Sequence, residues 1–381
     1  MISLNQKSKI SLPECDTDYL IEGDLQPLNS VLYSFNLIRG YHWESIPQTQ
    51  SWVGLRDRWH KKVKQFVIDR SSESDAAHFL CALLLGNFEH SLLKQDLGRF
   101  GLLHILAISG FHFSLMGLLI HSLCRLVMSP KQAAFAVSVL LTGYLLFLGG
   151  SSSVLRAWMM ALLFYIGIVF EKQARALNSL GVALLLSIVW DPLLCLSLGF
   201  QFSYLITACI LLFFPIAHRF SSFLIPKRCF EEVLAMNRWD QHAYLVLNHF
   251  REGLALSLAV NAGAVPLTLF YFNKFPLMSI LYNFFFPLGI SVAIPIFLFS
   301  LCLDVCHFPF SGYILGFALR FTEGLLALVQ NVPISFDFSF TIHALSLYPL
   351  VMYLFTAFVL ALIWHGRALQ KHVVGLEFNY L

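Results

Sequence analysis

Charge is what this sequence has least of. Only 12% of its 381 residues are Asp, Glu, Lys or Arg, against 57% hydrophobic residues, whereas soluble domains carry about a quarter charged residues. So little charge cannot solvate the surface of a chain this long, and the composition points to a polytopic membrane protein. The formal net charge is +3, so no broad basic character announces a nucleic-acid partner, and local placement must carry any such argument. Other signatures are missing too. There is no GxxxxGK[ST] phosphate loop, no HxHxDH metal cluster and no GxSxG elbow, so no metal, cofactor or bound nucleotide is expected. The eight cysteines, Cys15, Cys81, Cys124, Cys195, Cys209, Cys229, Cys302 and Cys306, form no CxxC pair. Most sit in apolar runs, where a thiol behaves as a small hydrophobic group. The N-terminal "MISLNQKSKISLPECD" has no apolar h-region, so insertion is expected to begin at an internal span without a cleaved signal peptide.

What is present is a series of apolar runs. A spanning helix needs about 20 mostly apolar residues. Runs that approach this occupy 101–124, 131–148, 154–170, 177–190, 197–217, 253–272, 277–302 and 347–364. A ninth, 313–331, holds Arg320 and Glu323 one turn apart and could instead lie flat at the interface. "AAHFLCALLLGN" (76–87) is too short to span alone. The fold class read from this pattern is an all-α polytopic membrane protein with eight or nine hydrophobic helices, several broken or kinked. Before the membrane part, "DYLIEGDLQPLNSVLYSF" can hold a strand or two. "WVGLRDRWHKKVKQFVIDR" reads as an amphipathic helix, with Trp52, Leu55, Trp59, Val63 and Phe66 at spacings of three and four. Its cations and tryptophans suit a membrane interface. Lys and Arg cluster in alternate loops: Arg125 and Lys131, then Lys172 and Arg175, then Arg219, Lys227, Arg228, Arg238 and Arg251. The loops between carry none, which predicts cytoplasmic basic loops and residues 1–100 outside; the basic helix over 56–70 argues the other way.

Polar groups inside spans are costly and usually face a partner or a wet cavity. "GLLHILAISGFHFSLMGLL" places His104, Ser109, Gly110 and His112 in one apolar run. A helix can open at Ser109-Gly110, and freed backbone groups are tolerated only where protein or water satisfies them. The two histidines could line a polar conduit, or simply bond neighbouring helices while Gly110 permits close packing. Arg156, one turn into "SSSVLRAWMMALLF", could snorkel to the interface or stand at a pore mouth, where a guanidinium meets phosphate in a fork geometry. Gln201 lies just inside a span and could bond across helices. Asn261 precedes Pro266, and Asn283 precedes Pro287. Each proline removes a backbone donor, and discontinuous spans near the midplane point to a transport path. The 37 phenylalanines face lipid or pack between helices in the main, although aromatic stacking is one way to hold single strands.

Four stretches in this order, "GLLHILAISGFHFSLM", "SSSVLRAWMMALLF", "LNSLGVALLLSIVWDPLLCLSLGFQFSY" and "AVPLTLFYFNKFPLMSILYNFFFPLGISVAIP", resemble the competence-type DNA uptake channel family, ComEC, over roughly 76–300. The resemblance implies an inner-membrane protein that passes single-stranded DNA into the cytoplasm. It carries His104, Ser109, Gly110, His112, Arg156, Asn178, Gln201, Pro266 and Asn283 as motif residues. Phe111 and Phe113 stand where smaller aliphatics are common in the family. Family members usually add an OB-like domain and a metallo-β-lactamase-like nuclease domain. Here residues 1–75 suit only a partial OB-like remnant plus the amphipathic helix, 76–366 the channel domain, and 367–381 a short tail. The implied partners are single-stranded DNA, the bilayer and separate nuclease, DNA-receptor and helicase chains.

Two other classes stay open at this stage. One is a transporter of a smaller anionic or lipid-linked solute, which the broken polar spans fit nearly as well. The other is an intramembrane hydrolase with Ser109 as nucleophile and His104 or His112 as base, which lacks an evident third member. The shortened chain could also be a remnant without channel activity. The reading carried forward is a channel and not an enzyme.

Overall fold

A computed structural model describes residues 2–4, 19–29, 34–45, 52–71, 74–86, 91–106, 110–172, 175–333, 336–343 and 345–377. The chain divides into two units, Met1–Arg70 and Ser71–Leu381. In the first, strand β3 (Ser34–Ser45) is central. β1 (Ile2–Leu4) pairs with it in parallel and β2 (Tyr19–Asn29) antiparallel, with a register shift at Glu22/Gly23. Helix α1 (Trp52–Ser71) follows and ends at the boundary.

The second unit is helical, and its helices start and stop on local signals. Ser74 caps α2 (Asp75–Leu85), accepting from the Ala77 amide at 3.2 Å, and Gly86 closes the helix at φ 81°, a left-handed angle that glycine adopts without a Cβ penalty. The run is hydrophobic all round, as in a helix enclosed on every side. Ala76, Ala77, Phe79 and Leu80 are fully buried, and the Phe79 ring meets Phe286 edge-on at 6.3 Å. The stretch too short to span is therefore an inner packing helix. Next come α3 (Ser91–Arg99), α4 (Leu103–Leu106) and α5 (Gly110–Val127). The expected span 101–124 is thus described as two helices. Ala107, Ile108 and Ser109, including the proposed opening at Ser109, lie outside the described residues.

α6 (Pro130–Leu148) opens on a reciprocal cap. Ser129 accepts from the Gln132 amide while the Gln132 side chain accepts from the Ser129 amide, with proline at the first helical position. α7 (Ser152–Val169), α8 (Ala176–Trp190), α9 (Leu198–Leu224), α10 (Phe230–Leu234) and α11 (Arg238–Phe272) follow. Then come β4 (Lys274–Pro276), α12 (Met278–Val305), α13 (Ser311–Gln330), β5 (Ser339–Thr341) and α14 (Leu347–Glu377), with β4 and β5 paired antiparallel. Eight of the described helices are long and apolar enough to cross a membrane: α5, α6, α7, α9, α11, α12, α13 and α14.

Three details differ from the sequence expectations. α8, expected over 177–190, is 15 residues long, or about 22 Å at 1.5 Å per residue, short of a hydrocarbon core of about 30 Å. Together with 191–197 it returns the chain to the end where α7 begins, so that Gly199 meets Ser152. α13 carries exposed Arg320 and Glu323 and is nevertheless long and apolar enough to cross. α11 begins at Arg238, so residues assigned to a loop continue the span as helix. Its 35 residues rise about 52 Å, well beyond the hydrocarbon. Arg251, counted as a loop charge, is 1% exposed on α11 and donates to Asn248 Oδ1 and to Glu252 at 3.3 Å. Glu252 also meets His218 Nε2 of α9 at 3.0 Å.

α9 and α11 pack through small side chains. Ala255, Ala259 and Gly263 share a face at i, i+4 and i+8, and a Cβ on Gly263 would fall 2.6 Å from Cys209 Sγ. Without a hydrophobic force between helices in lipid, this close approach is how spans gain dispersion contact. Outside the spans, Arg99 forks onto Asp337, with Nε at 3.0 Å from Oδ2 and Nη2 at 2.9 Å from Oδ1, and Nη2 also reaches the Val332 carbonyl. This pins α3 to the loop after α13. The Arg99 guanidinium holds the Asp337 carboxyl below its ordinary range. The stabilisation is therefore complete above the ordinary aspartate pKa of about 4 and is lost as pH falls through the depressed value. We expect Asp337→Asn to lower the melting temperature of the detergent-solubilised protein at neutral pH and to flatten its fall in acid. Equal acid sensitivity in both proteins would show that the pair contributes nothing.

Candidate functional site

Three helices start side by side. A Cβ on Gly110, the first residue of α5, would lie 2.5 Å from Arg156 Nη2; Arg156 Nε donates to Ser203 Oγ of α9 at 2.8 Å; and a Cβ on Gly199 of α9 would lie 3.0 Å from Ser152 Oγ of α7. The first turns of α5, α7 and α9 therefore meet around one guanidinium. At the far end of α5 and α7, His121 stacks on Tyr165 at 5.6 Å, so these two helices run parallel. α6 returns antiparallel, with Phe113 stacked on Tyr144 and the Trp158 indole donating to Thr142 Oγ1 at 3.0 Å. Lys131 meets Glu171 at 2.6 Å, so the loop after α5 and the loop after α7, the first two basic loops, share one face of this bundle. That is the arrangement the alternation of loop charges requires.

Arg156 is half-buried about 6 Å into α7, at 1.5 Å per residue. Its other contact is a weak one, Nη1 to Met160 Sδ at 3.6 Å, and among the described residues no carboxylate pairs with it. Three helix N-termini add their positive dipole ends at the same place. An uncompensated cation at membrane depth is stable only where water or an anion reaches it. The space is there. A cavity of about 390 Å³ lies between α5, α7 and α8, with Arg156 at one end and Ser179 among its lining at the other. Ser114, Gly117, Ala161 and Tyr165 line its length. It follows α7 from Arg156 to Tyr165, nine residues or about 13 Å.

At Gly110 the structure shows the close approach weighed from the sequence. This glycine is the first residue of α5. The missing Cβ is what admits the Arg156 guanidinium. His112 is 2% exposed on α5. The His104 ring bonds the Gly101 carbonyl at 3.0 Å. Neither histidine lines the cavity.

The remaining candidates lie elsewhere. Gln201 is held at both ends, donating to the Cys195 carbonyl at 2.9 Å and accepting from the Tyr271 hydroxyl, which is the cross-helix bonding weighed from the sequence. Asn178 is exposed on the first turn of α8. Asn283 buries its Oδ1 on α12 with no hydrogen-bond partner among the described residues. Asn261 and Pro266 border a second cavity of about 460 Å³ with Leu345, Pro349 and Tyr353, and Asn261 donates to Ser257.

Pro266 has no N–H for the Ala262 carbonyl one turn back. The Tyr353 hydroxyl of α14 supplies the donor at 3.0 Å. The same helix reaches α9 beside Pro215, where His365 Nε2 meets the Leu212 carbonyl at 2.9 Å. α14 thus supplies the donor that Pro266 lacks and also meets a backbone carbonyl beside Pro215. Tyr353→Phe should cost about 1 kcal/mol of stability, the usual net worth of one hydrogen bond. Equilibrium unfolding in mixed micelles would measure this, and no change would mean that another donor takes over.

Sequence reasoning found Arg156 and Gly110 and missed Ser203, Ser114 and Ser179. Ser203 stands two residues after Gln201 in the same quoted stretch, and Ser114 two residues after His112 in the first one. Single hydroxyls in apolar runs carry no signal until the helices are placed side by side.

The pattern of the family described as Competence protein matches residues 87–367, which includes every element of both cavities. Among curated relatives, ComE operon protein 3 of Bacillus subtilis is 22% identical over 272 residues, covering 70% of this chain and 31% of the relative. An uncharacterized protein of Mycoplasma genitalium, MG316, is 26% identical over 246 residues, covering 64% of this chain and 55% of its own. Its Mycoplasma pneumoniae homolog is 29% identical over 169 residues, 44% and 43% of the two chains. The chain thus spans about a third to a half of the length of these relatives. No solved structure matches. With the family pattern covering well over half of its length, this chain belongs to the Competence protein family and is a multi-pass membrane protein.

Proposed function

We propose that this protein forms a passage through which single-stranded DNA enters the cytoplasm across the inner membrane. The observation that carries the reading is Arg156: a guanidinium among three helix N-termini, with no carboxylate partner among the described residues, opening onto a cavity that runs along α7. A strand crossing a low-dielectric slab is a polyanion, and it needs donors that hold it weakly at successive points and release it. Arg156 meets phosphate at the entrance; Ser114, Tyr165 and Ser179 offer neutral donors below it. Few fixed charges line the route, so binding does not become a trap.

On the orientation predicted by loop charge, α5, α7 and α9 start outside, so Arg156 faces incoming DNA. An inward-negative potential opposes that entry at about 2.3 kcal/mol per charge per 100 mV. The driving force therefore comes from a cytoplasmic motor or strand-binding trap outside these 381 residues, and the complementary strand goes to a nuclease partner. Membrane competence, and not bond-breaking, is the role given to this unit. Deleting the gene and restoring it should abolish and recover uptake of labelled DNA; unchanged uptake in the deletion strain rejects the reading.

One observation favours a second reading. Phe113, Leu118, Met160 and Phe164 make much of the cavity wall apolar, which suits a lipid-linked anion with its phosphate at Arg156 and its chain along α7. Such a solute would compete with labelling of the cavity where DNA would not.

A further inference from the structure

Helix α1 presents two different sides. His60 and Val67 are buried, whereas Leu55 and Trp59, one turn apart, are 40% and 54% exposed. At 100° per residue, Leu55, Trp59, Val63 and Phe66 fall within an arc of about 80°, and Val63 and Phe66 are half-buried. The apolar stripe is thus distinct from the side that the protein covers. Cations border it. Arg58 and Lys62 lie along one edge and Arg56 along the other, with Lys62 Nζ 5.6 Å from the Trp59 ring centroid. Asp57 is spent on Lys61 at 2.8 Å. Among the described residues no carboxylate pairs with Arg56, Arg58 or Lys62.

We propose that this side of α1 docks on a bilayer surface of anionic phospholipid. Leu55 and Trp59 sit at the boundary between headgroups and acyl chains, and Arg56, Arg58 and Lys62 lie among the lipid phosphates. An exposed indole beside cations also suits single-stranded nucleic acid. The stripe decides between them: a base stack needs one open ring, and an aliphatic neighbour one turn away gains nothing from it, whereas an indole and aliphatics flanked by basic side chains are what an interfacial helix requires. The same chain inserts eight apolar spans, so a bilayer is always at hand.

The test uses the full chain reconstituted in vesicles of equal phosphatidylcholine and phosphatidylglycerol. Subtracting the emission of Trp59→Phe from that of the wild type isolates Trp59 from the other tryptophans. Phosphatidylcholine brominated near the top of its acyl chains should at least halve this difference signal. The quenching should weaken in vesicles without phosphatidylglycerol, in molar salt, and in the Arg58→Glu, Lys62→Glu double variant. A Trp59 signal untouched by brominated lipid overturns the proposal. So does one that responds to a single-stranded oligonucleotide and not to lipid, which would assign the face to nucleic acid.

Discussion

Replacing Arg156 by alanine should leave the protein in the membrane and reduce DNA uptake by roughly tenfold to a hundredfold, the equivalent of a charge-assisted hydrogen bond worth about 1.5–3 kcal/mol. The size follows from the surroundings of the guanidinium. Its protein contacts are one hydroxyl, Ser203, and one thioether, Met160, so little of its hydrogen-bonding capacity is used internally. Truncation removes the cation without leaving a buried carboxylate behind, and the fold should tolerate it. Arg156→Lys keeps the charge and loses the planar fork, so uptake should fall to an intermediate rate. Equal loss in lysine and alanine variants would assign the effect to fork geometry. Full activity in lysine would assign it to charge alone. Wild-type uptake in Arg156→Ala would remove the residue from the path.

The second large effect belongs to Gly110. A methyl there would lie 2.5 Å from Arg156 Nη2, and the end of a flexible side chain is what must move. Gly110→Ala should therefore displace the guanidinium at small cost in stability and impair uptake nearly as much as Arg156→Ala. The double variant tests the cause. Once Arg156 is alanine, the nearest atom given for a methyl on Gly110 is Ala157 Cβ at 3.5 Å, an ordinary contact, and adding Gly110→Ala should have little further effect; interacting neighbours show such non-additivity. If the two losses multiply, Gly110 acts through something other than Arg156.

The membrane character, most of the spans and the two residues at the centre of the site were legible in the sequence, because each leaves a local mark. Apolar runs near spanning length identify helices, and a lone arginine or a glycine beside polar groups stands out against them. What stayed hidden is relational. Gly110 could be read as an opening or as a point of close packing, and only the juxtaposition of α5 with α7 shows which side chain it makes room for. Arg251 looked like a loop charge because polar residues 238–252 carry no hydropathy signal, although they continue α11 as helix. For α13 the sequence left two readings, crossing or lying flat with Arg320 and Glu323 at the interface, and its 20 residues are long and apolar enough to cross. Tyr353 had no mark at all, since its partner is a carbonyl freed by a proline 87 positions earlier.

The central claim is that water and DNA reach the space beneath Arg156. Ala161 lines that space five residues, or about 7.5 Å, further along α7 than Arg156, and cysteine fits there with little change of volume. In a chain whose native cysteines are replaced, Ala161→Cys should react with a membrane-impermeant thiol reagent in intact, folded protein, and single-stranded DNA should slow that reaction. No reaction at position 161, with the protein shown to be folded and inserted, would contradict the account.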